Sequence, residues 1–173
     1  LAQIAFAGKS NVGKSSLINS LVNQKHLAKT SSTAGLTKMG NYFLINNQLY
    51  FVDLPGYGFS KTGKKHQDLW STLIEDYLLN SQNLKMVLLL VDIRHAPSEL
   101  DKLMQKFLYC NNIPYKIIAT KADKIAKTKI NQYLFEVAKT LQVTVNDIIP
   151  YSSETGLNKE KILNLIGGKI DEQ

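Results

Sequence analysis

Along the chain, short apolar runs alternate with stretches in which apolar residues recur every three or four positions. The runs Leu1–Ala7, Asn41–Ile45, Gln48–Leu54, Met86–Val91, Tyr115–Thr120 and Asp147–Tyr151 read as strands. The periodic stretches, Ser15 to about Asn23, His66–Asn80, Ser98–Cys110, Lys127–Leu141 and Asn158–Ile170, read as helices. Leu69, Trp70, Leu73, Ile74, Tyr77 and Leu78 form the core-facing stripe of the second. Leu100, Leu103, Met104, Phe107 and Leu108 form that of the third, and Ile130, Tyr133, Leu134, Val137 and Leu141 that of the fourth. Ser98 with Asp101 is a helix-start signal. Asn46-Asn47 tolerates positive φ and joins the second and third strands as a tight hairpin, so one strand runs against the others. The alternation predicts an α/β fold: a six-stranded, mostly parallel sheet with one antiparallel strand and helices on both faces. Ligands on such sheets sit beyond the carboxyl ends of the strands.

Two stretches break the pattern. Gln24–Lys38 has no apolar period and is rich in Ser, Thr, Lys and Gly; Pro55–Lys65 carries Gly56, Gly58 and Gly63. Both read as exposed loops. At 173 residues the chain is expected to be a single domain, 1–173. The lone Cys110 excludes an internal disulfide and is expected as a small apolar core residue of the third helix. The longest wholly apolar run, Met86–Val91, is far short of a membrane span, and the start is not that of a signal peptide. A cytoplasmic protein with no membrane partner is expected. The net charge of +7, from 21 basic and 14 acidic residues with Arg94 the only arginine, suits an RNA partner. A solvated lysine face accounts for it equally well.

The chemistry begins at Gly8-Lys9-Ser10-Asn11-Val12-Gly13-Lys14-Ser15, which reads G-x-x-x-x-G-K-S between a strand and a helix. Gly8 and Gly13 let the backbone turn and bring its N–H groups to phosphate oxygens, and the helix start adds unpaired donors. Lys14 reaches β- and γ-phosphates, and the Ser15 hydroxyl binds Mg²⁺. Asp53-Leu54-Pro55-Gly56 leaves the end of the third strand. Its carboxylate can hold Mg²⁺ through water, and the Gly56 N–H can meet the γ-phosphate. Thr120-Lys121-Ala122-Asp123 leaves the fifth strand. One carboxylate, Asp123, accepts both N1–H and the 2-amino group of guanine, whereas adenine offers it an acceptor at N1. Lys121 lays its methylenes along the base. Tyr151-Ser152-Ser153-Glu154 ends the last strand, where the Ser153 N–H can meet the guanine O6. Ser31, Ser32, Thr33 and Thr37 are all candidates for a second Mg²⁺ hydroxyl, and residue chemistry does not choose among them.

With these stations in order, the chain resembles the translation-factor class of GTPases and, more closely, the EngB/YihA/YsxC family of bacterial ribosome-assembly GTPases. The likeness rests on Gly8–Ser16, on Thr33-Ala34-Gly35-Leu36-Thr37, on Asp53-Leu54-Pro55-Gly56-Tyr57-Gly58 and on Thr120-Lys121-Ala122-Asp123-Lys124. The resemblance implies a Ras-like P-loop GTPase fold with Gln24–Lys38 and Pro55–Lys65 as its two switch loops. By position it implies nucleotide contacts from Gly8, Lys9, Ser10, Asn11, Val12, Gly13, Lys14, Ser15 and Ser16. Further contacts are implied for Gly35, Thr37, Asp53, Gly56, Thr120, Lys121, Asp123, Lys124, Ser152 and Ser153. Ser15, Thr37 and Asp53 are implied around Mg²⁺, and Lys14, Thr37, Gly56 and Asn11 in catalysis. Likeness to GTPases with an Asn in the phosphate loop implies that Asn11 holds K⁺; a side chain bracing the loop is the level alternative. The family's work is late assembly of the large ribosomal subunit, which implies GTP/GDP, subunit precursor and rRNA as partners of an expected monomer.

The chain departs from the family at Ala34 and Leu36, where Pro and Arg are usual, at Lys9, usually Arg, and at Thr120, which replaces the general asparagine. The short extension that usually precedes the first strand is absent, as expected of a trimmed chain. Tyr57 stands where many GTPases orient the attacking water with glutamine, and it has no amide to do so. Slow intrinsic turnover is expected, resting on Mg²⁺, Lys14 and backbone donors. Other readings are a P-loop kinase or ATPase, a GTP-gated binding module with negligible turnover, and the GTPase domain of a tRNA-modifying or iron-transport protein.

Overall fold

The computed structural model describes residues 1–23, 36–37, 40–57 and 72–172. In chain order they form β1 (Ala2–Gly8), α1 (Lys14–Leu21), β2 (Leu36–Thr37), β3 (Gly40–Ile45), β4 (Leu49–Asp53) and α2 (Thr72–Asn80). Then follow β5 (Leu84–Asp92), α3 (Glu99–Cys110), β6 (Tyr115–Thr120), α4 (Ile130–Leu141), β7 (Ile148–Pro150) and α5 (Lys159–Asp171). The sheet order is β2-β3-β4-β1-β5-β6-β7. Pairing is parallel from β4 through β7, and antiparallel at β2–β3 and β3–β4, so β3 alone runs against the rest. All six strands read from the apolar runs are present. The two-residue β2 extends the sheet inside a stretch expected to be loop throughout. Two residues carry no periodicity, so only pairing with β3 reveals them.

Residue alternation on the central strands divides the core. Val87, Leu89 and Val91 of β5 face one side with Ile74, Tyr77 and Leu78 of α2, Met104 and Leu108 of α3, and Leu134 and Val137 of α4. Met86, Leu88 and Leu90 face the other with Leu17, Ile18 and Leu21 of α1 and Ile162 and Ile166 of α5. A strand covered on both faces has to be apolar at every position, hence the unbroken run Met86–Val91. Asn46 and Asn47 both take positive φ (51° and 57°), closing the β3–β4 hairpin as expected.

Three core expectations are corrected. Leu103 is 52% exposed and Leu73 46%, because each lies one residue, about 100°, from a buried neighbour, Met104 and Ile74. Cys110 is exposed rather than core: it stands two positions past the buried Leu108, on the opposite side of α3. Ser98 does cap α3, its side chain accepting from the Asp101 N–H at 3.2 Å while Asp101 accepts from the Ser98 N–H at 2.9 Å.

Candidate functional site

Because β1, β4, β5 and β6 run parallel, their carboxyl ends lie along one edge, and the loops that leave them meet there. The loop after β1 turns through Asn11 (φ 65°) and Gly13 (φ 112°) before α1 starts at Lys14. At φ 112° a side chain is strained, which is why glycine stands at 13. No side chain caps α1, so the N–H groups of its first turn stay directed at the mouth of the loop. Ser15 and Ser16 are exposed there, as are Lys9, Ser10 and Asn11; Val12 is buried and anchors the loop.

Behind the loop stands the pair Lys14 and Asp53, Nζ to Oδ1 4.0 Å, with both side chains largely buried. Burial lowers the Lys14 pKa more than Asp53 raises it, and burial raises the Asp53 pKa more than Lys14 lowers it. Each charge is held out of water with too little compensation. Asp53 Oδ1 has no hydrogen-bond partner among the described residues, nor has the buried Oδ1 of Asn41, its partner across the β3–β4 ladder. A phosphate beside Lys14 and a cation beside Asp53 would supply the missing partners. One carboxylate plus a hydroxyl suits Mg²⁺, which takes oxygen ligands, keeps several waters and completes its shell with substrate phosphates. Asp53 and Ser15 therefore fit that ion.

The loop after β4 is stitched to the phosphate loop. The Ser10 N–H donates to Tyr57 O at 3.0 Å, and the Tyr57 N–H donates to Gly8 O at 3.2 Å. Gly56 lies so close that a Cβ there would stand 2.9 Å from Ser10 Cα. Tyr57, 2% exposed, donates its hydroxyl to the buried Asp101 Oδ1 of α3 at 2.6 Å.

At the other end of the edge, Thr120 is buried. Its hydroxyl lies 2.8 Å from Val12 O and 3.1 Å from Val91 O, one proton serving the phosphate loop and β5 in turn. Lys121 takes a left-handed backbone (φ 63°) and sends Nζ to Asn11 O at 3.2 Å. Asp123 Oδ1 accepts from the buried Ser152 hydroxyl at 2.8 Å, which itself accepts from the Thr155 N–H at 3.1 Å. Lys124 lies 3.8 Å from the second Asp123 oxygen, and Ser153 is exposed beside it. Two residues outside the expected set join this corner. Asp92 at the end of β5 pairs bidentately with Arg94, at 3.1 and 2.8 Å, and lies 3.4 Å from Lys121 Nζ. Burial pushes the Asp92 carboxyl up, but the hydrogen bonds from Arg94 and the charges of Arg94 and Lys121 outweigh it and bring it to about 2. The available signal was the chain's only arginine, two residues past a strand-end aspartate.

Phosphate-loop, Asp53–Gly56, Thr120–Lys124 and Ser152–Ser153 positions thus share one edge. Thr37 is described only by its backbone, paired with Gly40. Gly35, Ser31, Ser32, Thr33, Ala34 and most of both expected switch loops lie outside the described residues. A groove of about 840 Å³ between α3 and α4 contains none of the expected site residues.

The family model for 50S ribosome-binding GTPases matches residues 3–121. A probable GTP-binding protein EngB of Bacillus subtilis (strain 168) is 49% identical over 172 residues, spanning 99% of this chain and 88% of its own length. One from Clostridium kluyveri is 46% identical over 170 residues, 98% and 86% of the two lengths. Among solved structures, a probable GTP-binding protein EngB superposes with TM-score 0.76 at 26% identity, covering 99% of this chain and all of that one. Era in complex with MgGDPNP and nucleotides 1506–1542 of 16S ribosomal RNA does so with TM-score 0.69 at 27% identity, covering 99% and 57%.

Proposed function

Since this chain belongs to the 50S ribosome-binding GTPases, and among them to the EngB GTP-binding proteins, we propose that it is a nucleotide-dependent switch in assembly of the large ribosomal subunit. The protein is a GTP hydrolase. Residues 1–173 act as one such domain, with Gln24–Lys38 and Pro55–Lys65 as its switches. The observation that carries the switch reading is the seating of Pro55–Tyr57 directly on the phosphate loop. With Gly56 against Ser10, and Tyr57 bonded to Gly8 and Ser10, the presence of a γ-phosphate is felt first by the segment that leads into the second switch.

In this reading Lys14 and the loop N–H groups bind the phosphates, and Ser15, Asp53 and Thr37 would hold Mg²⁺, which would neutralise phosphate charge. Gly56 offers its N–H to the γ-phosphate. Asp123, steadied by Ser152, accepts the two guanine donors, and the Ser153 N–H meets O6. Tyr57 is turned into the core and has no amide, so no side chain at that position orients the attacking water. Intrinsic turnover is accordingly slow; Asn11 would hold K⁺, which would supply positive charge to the phosphates, and the ribosomal particle is a second source of stimulation. Residues 24–38 and 58–71 together carry six lysines and one acidic residue, most of the excess positive charge. That charge supports an attraction for rRNA carried by the segments that answer to nucleotide. Era, a fold relative solved with ribosomal RNA, offers a parallel for such a partner.

The test joins two measurements. Competition of GTP and ATP against a fluorescent GDP analogue should favour guanine by roughly 10³-fold, and Asp123→Asn should move that preference toward xanthine, whose 2-oxo group accepts the new amide donor. Co-sedimentation with ribosomal subunits should then be strongest with large-subunit particles and GTP. Equal sedimentation with GTP, GDP and no nucleotide would remove the switch role. Hydrolysis that responds to neither KCl over NaCl nor added particles would remove the proposed route of stimulation.

A further inference from the structure

The carboxylate of Asp92, which itself has no role toward the nucleotide in the proposed function, is the hub of a charge cluster at the base corner. Its Oδ1 accepts from the Arg94 backbone N–H at 3.0 Å and from Nε at 3.1 Å; its Oδ2 accepts from Nη2 at 2.8 Å and faces Lys121 Nζ at 3.4 Å. Three of the four oxygen lone-pair positions are thus given to Arg94 and the remaining one to Lys121. Arg94 also lies within electrostatic reach of Asp123, whose negative charge acts on the guanidinium.

Arg94, held on Asp92, is thus a strong competitor whose charge reaches the base-reading carboxylate. A guanidinium presents paired N–H donors in a planar fork, the same pattern by which guanine presents N1–H and its 2-amino group. Asp123 has one oxygen committed to Ser152 and the other 3.8 Å from Lys124, so a released Arg94 would meet an acceptor with capacity to spare. Lys121 has a related requirement. Its four-carbon stem is mobile unless its end is held, and the two anchors at Asn11 O and Asp92 hold it over the place of the base before any ligand arrives.

We infer that Asp92 is a positioning residue for guanine recognition: it sequesters Arg94 from Asp123 and anchors Lys121, leaving the base-reading carboxylate open. The inference rests on the assignment of Asp123 to the base in the proposed function. It gives Arg94 a role opposite to that of a ligand, a cation whose freedom would be harmful.

The experiment is GDP binding, with ADP as control, in the wild-type chain, in Asp92→Asn, and in Asp92→Asn combined with Arg94→Gln, each with a thermal midpoint. Asp92→Asn should weaken GDP about tenfold, the size of one lost charge-assisted arrangement. Removing Arg94 as well should recover at least about threefold, because the competitor is gone while Lys121 stays unanchored. Both variants carry the same change at position 92, so any cost to the fold is common to them and their ratio reads Arg94 alone. A double variant no better than the single, or a single variant equal to wild type, overturns the role of Asp92. Wild type that does not prefer GDP to ADP overturns instead the assignment of Asp123, so the two failures are distinct.

Discussion

Among the described residues Asp53 and Lys14 form an ion pair, yet at 4.0 Å and largely out of water they do not compensate one another. Burial holds the Asp53 pKa above the ordinary carboxylate value, so the fold binds this proton more readily than the unfolded chain does. The stability contributed by the protonated form is complete below the ordinary value and is lost as pH rises through the raised one; at neutral pH the ionised group is a cost. Asp53→Asn should therefore raise the melting midpoint of the nucleotide-free protein by a few degrees, an advantage that shrinks as pH is lowered toward about 4. The same variant should lose the Mg²⁺ dependence of its GTP affinity. Calorimetry across that pH range checks the first half, and binding with and without Mg²⁺ the second. Gly56 makes a separate residue-scale prediction. A Cβ there meets Ser10 Cα, Oγ and N within about 3 Å, so Gly56→Ala has to push the two loops apart. Turnover should fall at least about tenfold, the scale of a displaced transition-state donor, with GDP affinity altered less than turnover.

Among the elements, α3 is tied to the phosphate side of the sheet by a buried hydrogen bond. Asp101 closes its capping box with Ser98 through Oδ2 and accepts the Tyr57 hydroxyl through Oδ1. Burial, then the Asp101 charge and hydrogen bond, hold the Tyr57 pKa far above its ordinary value, so the hydroxyl remains a donor at every accessible pH. Tyr57→Phe removes one acceptor's partner in a dry site and should cost about 1–3 kcal/mol in urea unfolding. The loss should be flat between pH 6 and 9. A cost that varied over that range would show that the hydroxyl is not the group responsible. At the same scale, the contrast between Leu108 and Cys110 shows how narrow the buried stripe of α3 is: two residues along, the chain is in solvent.

Over the whole molecule, charge and topology are arranged differently. Parallel strands gather the chemistry at one sheet edge, while the lysine excess is concentrated in residues 24–38 and 58–71. Binding of the GTP form to large-subunit particles should therefore fall steeply with salt. Each phosphate contact adds about −0.7 to −0.9 to the slope of log affinity against log salt, so replacing Lys61, Lys64 and Lys65 by alanine should flatten it by about 2. A salt series on wild type and the triple variant measures this, and an unchanged slope would take the rRNA contact away from that segment. Among the described residues no helix is long and apolar enough to cross a membrane.

Strand and helix order and the glycine turn between β1 and α1 were legible in the sequence because each depends on residues a few positions apart. Alternation marks strands, a 3.6-residue period marks helices, and the spacing from Gly8 to Ser15 encodes its own loop. Boundaries set by pairing or by one face of a helix were not legible: β2, Leu103 and Cys110 depend on what lies across from them. Nor were the contacts that unite distant segments. Tyr57 with Asp101, Ser152 with Asp123, and Asp92 with Lys121 are separated by 29 to 44 residues. They meet because the sheet order sets β1 between β4 and β5, and β6 beside β5. Local spacing decides which chemistry a loop can perform; only the packing of the sheet decides which buried charges lack partners, and so where a nucleotide and its metal are needed.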